Sequence, residues 1–363
     1  MSKRLSLLLI LALIISSVVG FLSVKAEPKT IIVPDDYGTI EDAVTNAIQG
    51  DTIFVKKGTY YETLKIEKAV SLVGEDRDTT IINGVLREGV KVPLTIREDN
   101  VSVTGFTLRG GYAGIQLHSN FSQISGNRIT NTQFGIILSN GLQNNITENI
   151  VESIKYSGIK LVMATSNLVQ RNQITSVDGG IEISQSSQNN TISENNISNN
   201  LATGISIRYS DGNTLIGNNI KNCGIGTGIY VANGNNFHRN NFIDNTEQAK
   251  ADEWYAMTFG YGGSTNTYNE NFWSDYPAKY PNAKEIDASG IGDTPYVINE
   301  NNTDYRPLMR QVDISTPLPT STPTGFAPEV TPAIIATITA ASAVIISAGL
   351  ILYFKKRKTL NSG

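Results

Sequence analysis

The sequence predicts an all-β solenoid of about ten stacked coils, and two interleaved periodicities predict it. An asparagine returns every 22 or 23 residues, at Asn127, Asn149, Asn172, Asn195, Asn218 and Asn240. Each sits in the frame apolar-x-x-Asn-x-apolar, with flanking pairs Ile124/Ile129, Ile146/Val151, Val169/Ile174, Ile192/Ile197, Leu215/Ile220 and Phe237/Phe242. Between these frames a second beat, glycine followed by isoleucine, falls at Gly114, Gly135, Gly158, Gly180, Gly204 and Gly228. A fixed period of this length marks a stacked repeat, and strand-like alternation within it marks coils of β-structure.

From the N-terminus, Lys3 and Arg4 precede an apolar run from Leu5 to Val24, and Val24-Lys25-Ala26 offers small residues at the cleavage positions. Residues 1–26 are therefore predicted to be a signal peptide, and 27–310 the body. Thr39 is a helix cap before Ile40, Ala43, Val44, Ala47 and Ile48, which fall on one helical face. That helix is expected to cover the open end of the solenoid ahead of a first coil strand near Thr52–Val55. In the coils, alternation sends Ile115/Leu117, Ile136/Leu138, Ile159/Leu161, Ile181/Ile183, Ile205/Ile207 and Ile229/Val231 inward. The glycine before each pair suits a corner with positive φ or a close backbone approach. The recurring asparagine also tolerates the left-handed region, and its amide can bond to the amides above and below, so the six asparagines are read as a structural ladder.

The residues before the ladder are Gly126, Glu148, Arg171, Glu194, Gly217 and Arg239, and the alternating charges of the middle three favour pairing between coils. The period breaks after Asn240. An aromatic-rich segment with Trp254, Tyr255, Phe259 and Tyr261 follows, and then Tyr268-x-x-Asn271-x-Trp273 resumes the frame. This region is expected to be the second cap, with sugar stacking as the alternative use of its aromatics.

Thr316-Pro317, Pro319, Thr322-Pro323 and Pro328 make residues 311–332 an extended stalk. Residues 333–354 are apolar and long enough to cross a bilayer as a helix. Lys355, Lys356, Arg357 and Lys358 open a basic tail, 355–363, which stays on the cytoplasmic side. The expectation is a single-pass membrane protein with its body outside.

Of 29 basic residues, seven lie in the signal and tail, which leaves 22 against 33 acidic residues outside. A net charge near −11 argues against nucleic acid, and against a polyanion held by bulk charge. The lone Cys223 cannot form an internal disulfide, so the body must be stable through its stacked core. Asn100, Asn120, Asn145, Asn189, Asn196 and Asn301 stand in glycosylation sequons.

Six short segments, three near each end of the body, carry a family resemblance. Val33-Pro34-Asp35-Asp36-Tyr37-Gly38-Thr39-Ile40, with Gly50-Asp51-Thr52-Ile53 and Gly58-Thr59-Tyr60-Tyr61-Glu62, resembles the start of pectin-esterase-like right-handed parallel β-helices. Asn271-Phe272-Trp273-Ser274-Asp275-Tyr276 and Gly290-Ile291-Gly292-Asp293-Thr294-Pro295-Tyr296 are similar to the end of NosD-type β-helix proteins, as is Asp304-Tyr305-Arg306-Pro307-Leu308. The resemblance spans roughly residues 30 to 310 and implies a right-handed parallel β-helix, common among membrane-anchored surface proteins of archaea. It also implies a class that holds carbohydrate-binding and sugar-hydrolase proteins, so the fold does not set the chemistry.

Four ligand chemistries can be tested against the residues. Copper, implied by the NosD resemblance, wants imidazole, thiolate or thioether ligands, and the body offers only His118, His238, Cys223, Met163, Met257 and Met309, at no binding spacing. Asp287 and Asp293 are the candidates for a calcium loop, although the run before Gly290 is less acidic than in that family. For polysaccharide cleavage, the carboxylate candidates are Asp178, Glu182, Glu194 and Asp211. For glycan binding without turnover, Tyr156, Tyr209 and Tyr230 lie near strand ends, where a sugar ring can stack. The favoured expectation is a non-catalytic surface module that binds a glycan or builds the envelope with a partner protein. A polysaccharide-acting enzyme is the alternative, and a copper-handling protein is the third.

Overall fold

In a computed structural model, which describes residues 27–84, 92–252 and 263–314, each coil contributes one strand to each of three parallel sheets. The sheets hold 13, nine and ten strands, and the body is a parallel β-solenoid of about ten turns. The expected signal peptide, membrane span and tail, and the aromatics Trp254, Tyr255, Phe259 and Tyr261, lie outside the described residues. So does the stalk from residue 315 onward. Among the described residues no helix is long and apolar enough to cross a membrane.

The repeat frame maps directly onto the coil. Its first apolar residue points inward from the 13-stranded sheet and its second from the ten-stranded sheet, with the asparagine at the corner between them. One coil shows this well: Asn145–Thr147 carries Ile146, Asn149 turns the corner, and Ile150–Ile154 carries Val151. Parallel register then stacks Ile124, Ile146, Val169 and Ile192 in one column and Ile129, Val151, Ile174 and Ile197 in the other. All are fully buried. A third set of columns, Leu94-Ile115-Ile136-Ile159-Ile181-Ile205 and its neighbour, lines the nine-stranded sheet.

The ladder is a continuous chain of hydrogen bonds. The Oδ1 of Asn172 accepts both the backbone N–H and the side-chain N–H of Asn149, each at 3.0 Å. Its own Nδ2 donates to the carbonyl of Ile146 at 2.8 Å. The same bonds recur from Asn127 to Asn271. The left-handed position belongs to the residue before each asparagine, such as Glu148, Arg171 and Glu194, with φ between 54° and 57°. Those charges pair as expected: Arg171 Nε donates to Glu194 Oε2 at 2.7 Å and its Nη1 lies 3.9 Å from Glu148.

A second ladder of the same construction, Asn144-Asn167-Asn190-Asn213-Asn235-Asn266-Asn302, fills the corner between the nine- and 13-stranded sheets. It was not anticipated from the sequence.

The glycines are explained by close approach rather than positive φ. A β-carbon on Gly135 would lie 2.1 Å from the carbonyl oxygen of Gly158, and one on Gly180 would lie 2.3 Å from that of Gly204. One expected member is displaced. Strand 225–230 pairs Thr227 with Ile205 and Ile229 with Ile207, so Thr227 and Ile229 point inward rather than Ile229 and Val231. Gly226 then takes the crowded position and Gly228 lies on the outer face.

Both ends are covered. The helix Ile40–Asn46 is capped by the Thr39 hydroxyl, which accepts from the Asp42 N–H, and it buries Ile40, Ala43 and Val44. Glu62 accepts the N–H groups of Ile40 and Glu41, and Lys68 donates to the carbonyls of Thr45 and Ala47, so each helix end meets the opposite charge. Ile48, expected on the buried face, is exposed. The 13-stranded sheet starts earlier than expected, at Thr30–Val33, which pairs in parallel with Thr52–Val55 across the helix.

At the far end the columns turn aromatic. Phe237 stacks on Tyr268, and Phe242 on Trp273, which stacks on Tyr296 with centroids 4.2 Å apart. Val312 is still bound to the body through two 2.8 Å hydrogen bonds with the Asn241 amide, past the expected boundary at 310.

The first ladder ends on Asp304. Its Oδ2 accepts Asn271 N–H and Nδ2 and Trp273 Nε1, and its Oδ1 accepts the Arg306 N–H. Burial pushes this carboxyl above its usual range, against the pull of those bonds. A raised acid favours the folded state most below its unfolded value of 3.8, and that contribution is lost as pH rises through the folded value. Urea titrations at pH 3 and pH 7 should therefore show Asp304→Asn gaining stability relative to the natural protein as pH rises. A pH-independent difference would show that Asp304 does not titrate abnormally.

Candidate functional site

The outer face of the nine-stranded sheet concentrates the chemistry-bearing residues. Strand alternation sends the row Gln116-Ile137-Lys160-Glu182-Ser206-Gly228 outward. Beside it runs Ser139-Val162-Ser184-Arg208-Tyr230. At the edge where the chain enters this sheet, Tyr112, Phe134 and Tyr156 form an aromatic column with successive centroids 5.2 Å apart.

Two clusters stand on this face. In the first, Glu182 Oε2 accepts the Ser157 hydroxyl at 2.9 Å and Oε1 lies 3.1 Å from Lys160 Nζ. That ammonium also sits 5.5 Å from the Phe134 ring centre, and Lys155 lies 4.8 Å from that of Tyr156. In the second, the Arg208 guanidinium lies 4.6 Å from the centre of the Tyr230 ring and its Nε donates to Ser206 at 3.1 Å. The Tyr230 ring folds back over Gly228, where a β-carbon would meet ring carbon Cε2 at 3.0 Å.

Of the sequence candidates, the face brings together Tyr156, Glu182 and Tyr230. Tyr209 follows Arg208 at the next corner, exposed and with φ 50°. Asp178 is exposed at the entry edge, one coil beyond Tyr156. Glu194 is away from this face, buried at the first-ladder corner against Arg171. Asp211 is at the second-ladder corner, where it accepts the Asn233 N–H at 2.7 Å. The four candidate carboxylates thus occupy four different places around the coil and do not come together in one cluster. Lys160, Arg208 and Phe134 were not singled out from the sequence. Only the register, which aligns them with Glu182 and Tyr230, reveals them.

Asp293 anchors a turn, with its Oδ1 accepting Lys284 N–H and the Thr294 hydroxyl, each at 3.0 Å. Those bonds, the backbone one foremost, hold its carboxyl below the usual range. Asp287 is exposed in the left-handed region on the adjoining turn. Among the described residues no three His, Cys, Asp or Glu side chains converge as a metal site.

The soft ligands are scattered. His118 follows the strand Ala113–Leu117 of the nine-stranded sheet, and burial and the Arg97 charge push its pKa down. His238 is on the 13-stranded sheet several coils away, with Nδ1 3.1 Å from the Asn269 carbonyl. Cys223 is buried, and burial pushes its thiol up. These residues do not fit a copper centre.

Comparison with known proteins agrees with this architecture. The family described as periplasmic copper-binding protein (NosD) matches residues 44–278. A cell surface glycoprotein of Methanothermus fervidus is 32% identical over 126 residues, which are 34% of this chain and 20% of that protein. The chain thus matches about a fifth of that relative's length. Among solved structures, the Dettilon tailspike protein superposes with a TM-score of 0.52 at 15% identity, covering 67% of this chain and 62% of the tailspike chain. The Azotobacter vinelandii mannuronan C-5 epimerase AlgE6 A-module gives a TM-score of 0.47 at 15% identity, with 66% and 75% covered. At such identity the tailspike likeness shows the fold alone.

Proposed function

The chain belongs to the NosD family, and from that premise we propose that its body is a non-catalytic module, displayed at the cell surface, that binds a glycan along the outer face of the nine-stranded sheet. The observation that carries this reading is the alignment on one wall of the Tyr112-Phe134-Tyr156 column with the Lys160–Glu182–Ser157 hydrogen-bonding cluster. Coils spaced about 4.8 Å apart repeat such groups along a straight wall, which suits an extended chain better than a compact ligand. Aromatic edges supply apolar contact to sugar rings, and the paired charges supply donors and acceptors for hydroxyls.

The M. fervidus relative supports a place at the cell surface. The predicted signal, span and basic tail support single-pass anchoring with the body outside. The family's copper-binding description is not carried over, because the histidines and the cysteine stand apart. An enzymatic reading lacks support from the carboxylates, since Glu182 is paired with Lys160 and Glu194 with Arg171.

The test is incubation of the full-length protein, in detergent, with neutral and acidic polysaccharides. Calcium is included in half the samples because of Asp287 and Asp293. Co-sedimentation reads retention and mass spectrometry reads chain shortening. Retention without shorter products is expected, and Phe134→Ala with Lys160→Ala should weaken it about tenfold or more. Shorter products that disappear in Glu182→Gln would make the protein an enzyme. Neither retention nor products would leave envelope architecture as the better reading.

A further inference from the structure

We propose that Arg208 is an anion receptor, which takes the carboxylate of a uronic-acid unit in an acidic polysaccharide; the inference rests on the glycan-binding reading above. The guanidinium is held on two sides. Ser206 accepts its Nε–H at 3.1 Å, and the Tyr230 ring supports its face at 4.6 Å. The hydroxyl end of the Tyr230 ring leans over Gly228, a position a β-carbon would crowd, and Arg208 covers the ring at 4.6 Å, so Tyr230 serves as a base for Arg208. Arg208 is exposed, and among the described residues no carboxylate pairs with it. A guanidinium fixed in this way presents its Nη donors as a planar fork with little freedom left to lose, the geometry that takes a carboxylate by two parallel bonds.

The repeat is broken at this coil. In every preceding coil from Leu94 to Ile205 the inward position opposite Thr227 holds leucine or isoleucine. Here a threonine is fully buried, and among the described residues its hydroxyl has no partner. A buried hydroxyl without a partner is destabilising. The same two-residue displacement places Gly228 outward, which leaves room for the Tyr230 ring to lean over it beside Arg208. Departures of this kind from a consistent repeat mark functional positions. A body with net charge near −11 does not attract polyanions by its overall field, so recognition of one requires a fixed local cation.

The experiment measures binding of the full-length protein to immobilised polygalacturonate and to the same polymer after its carboxyl groups are reduced to alcohols. Circular dichroism checks that each variant is folded. The natural protein is expected to bind the acidic polymer about tenfold tighter or more. Arg208→Gln should erase that preference. Arg208→Lys should lose nearly as much, since an ammonium does not present a planar fork, whereas Lys221→Gln, which removes the same charge from the ten-stranded sheet, should change it less than about threefold. Equal binding of both polymers, or an unchanged preference in folded Arg208→Gln, overturns the anion-receptor assignment while leaving the glycan reading intact. Binding of neither polymer, nor of any neutral glycan, defeats both.

Discussion

Replacing Asn195 with alanine is expected to destabilise the protein by about 3–5 kcal/mol, although the residue touches neither ligand nor solvent. Asn195 is fully buried, and its Oδ1 accepts the Asn172 backbone N–H at 2.9 Å and the Asn172 Nδ2 at 3.0 Å. Its own Nδ2 donates to the Val169 carbonyl at 2.9 Å and to Asn218 Oδ1 at 3.0 Å. Alanine leaves a buried N–H and a buried carbonyl without these partners, and each orphaned group costs about 1–3 kcal/mol. Asn195→Asp should be worse at pH 7. It keeps an oxygen toward Asn172 but sets a second, charged oxygen against the Val169 carbonyl. Part of that loss should return as pH falls toward ~4, because the buried carboxyl takes up its proton above its unfolded value and can then donate in place of the amide. Asn236→Ala is the control, because Asn236 is exposed on its strand, outside the left-handed region, and should change stability by under about 0.5 kcal/mol. Guanidinium unfolding followed through the buried Trp273 reads all three variants. If the losses at 195 and 236 are equal, the ladder is not a stabilising device.

Asp304 shows why the ladder tolerates a carboxylate at its end and asparagine elsewhere. Beyond Asp304 its second oxygen meets the Arg306 N–H instead of a further acceptor. All four bonds recorded for the carboxylate are therefore acceptances, which an asparagine amide could not match.

The inward residues of the coils were legible because alternation is a local rule, and the rule held wherever glycine and isoleucine recurred in one phase. It failed at Gly224-Ile225-Gly226-Thr227-Gly228-Ile229, which offers the motif in two phases. The neighbouring coil, rather than the local pattern, selects between them. The second ladder was hidden for a related reason. Asn144, Asn190 and Asn235 each sit beside another asparagine, and composition does not tell which of the two faces inward. Sites suffer most from this. Glu182 and Glu194 are twelve residues apart, about half a coil, which carries them from one sheet round to the far corner. Lys160 and Glu182, 22 residues apart, are by contrast directly opposed. In a solenoid, nearness in space follows the coil period and not nearness in sequence, so Arg208 and Tyr230 could be joined only through the register.

Gly135→Ala is expected to be the most damaging single-methyl change on the nine-stranded sheet. Its β-carbon would be placed 2.1 Å from the Gly158 carbonyl oxygen and 2.7 Å from Val151 Cγ1. Overpacking against side chains usually costs about 1–3 kcal/mol because a rotamer can yield. Here the nearest atom is backbone of the next coil, itself paired onward through the strand Ser157–Val162. Relief therefore requires two coils to separate, and the stability of a stacked array depends on those nearest-neighbour contacts. A loss of more than about 3 kcal/mol is expected, which for a body of this size lowers the melting temperature by about 6 °C or more. Gly38→Ala, which has no atom within 4 Å of the added carbon, should leave it unchanged. The position is also informative about binding. Separating the coils at Gly135 and Gly158 would pull the Phe134–Tyr156 pair apart, while the Arg208–Tyr230 pair two coils further on keeps its neighbours. A folded Gly135→Ala protein should therefore bind glycan more weakly yet retain the same preference for the acidic over the reduced polymer. Loss of both together would show that the two clusters act as one site.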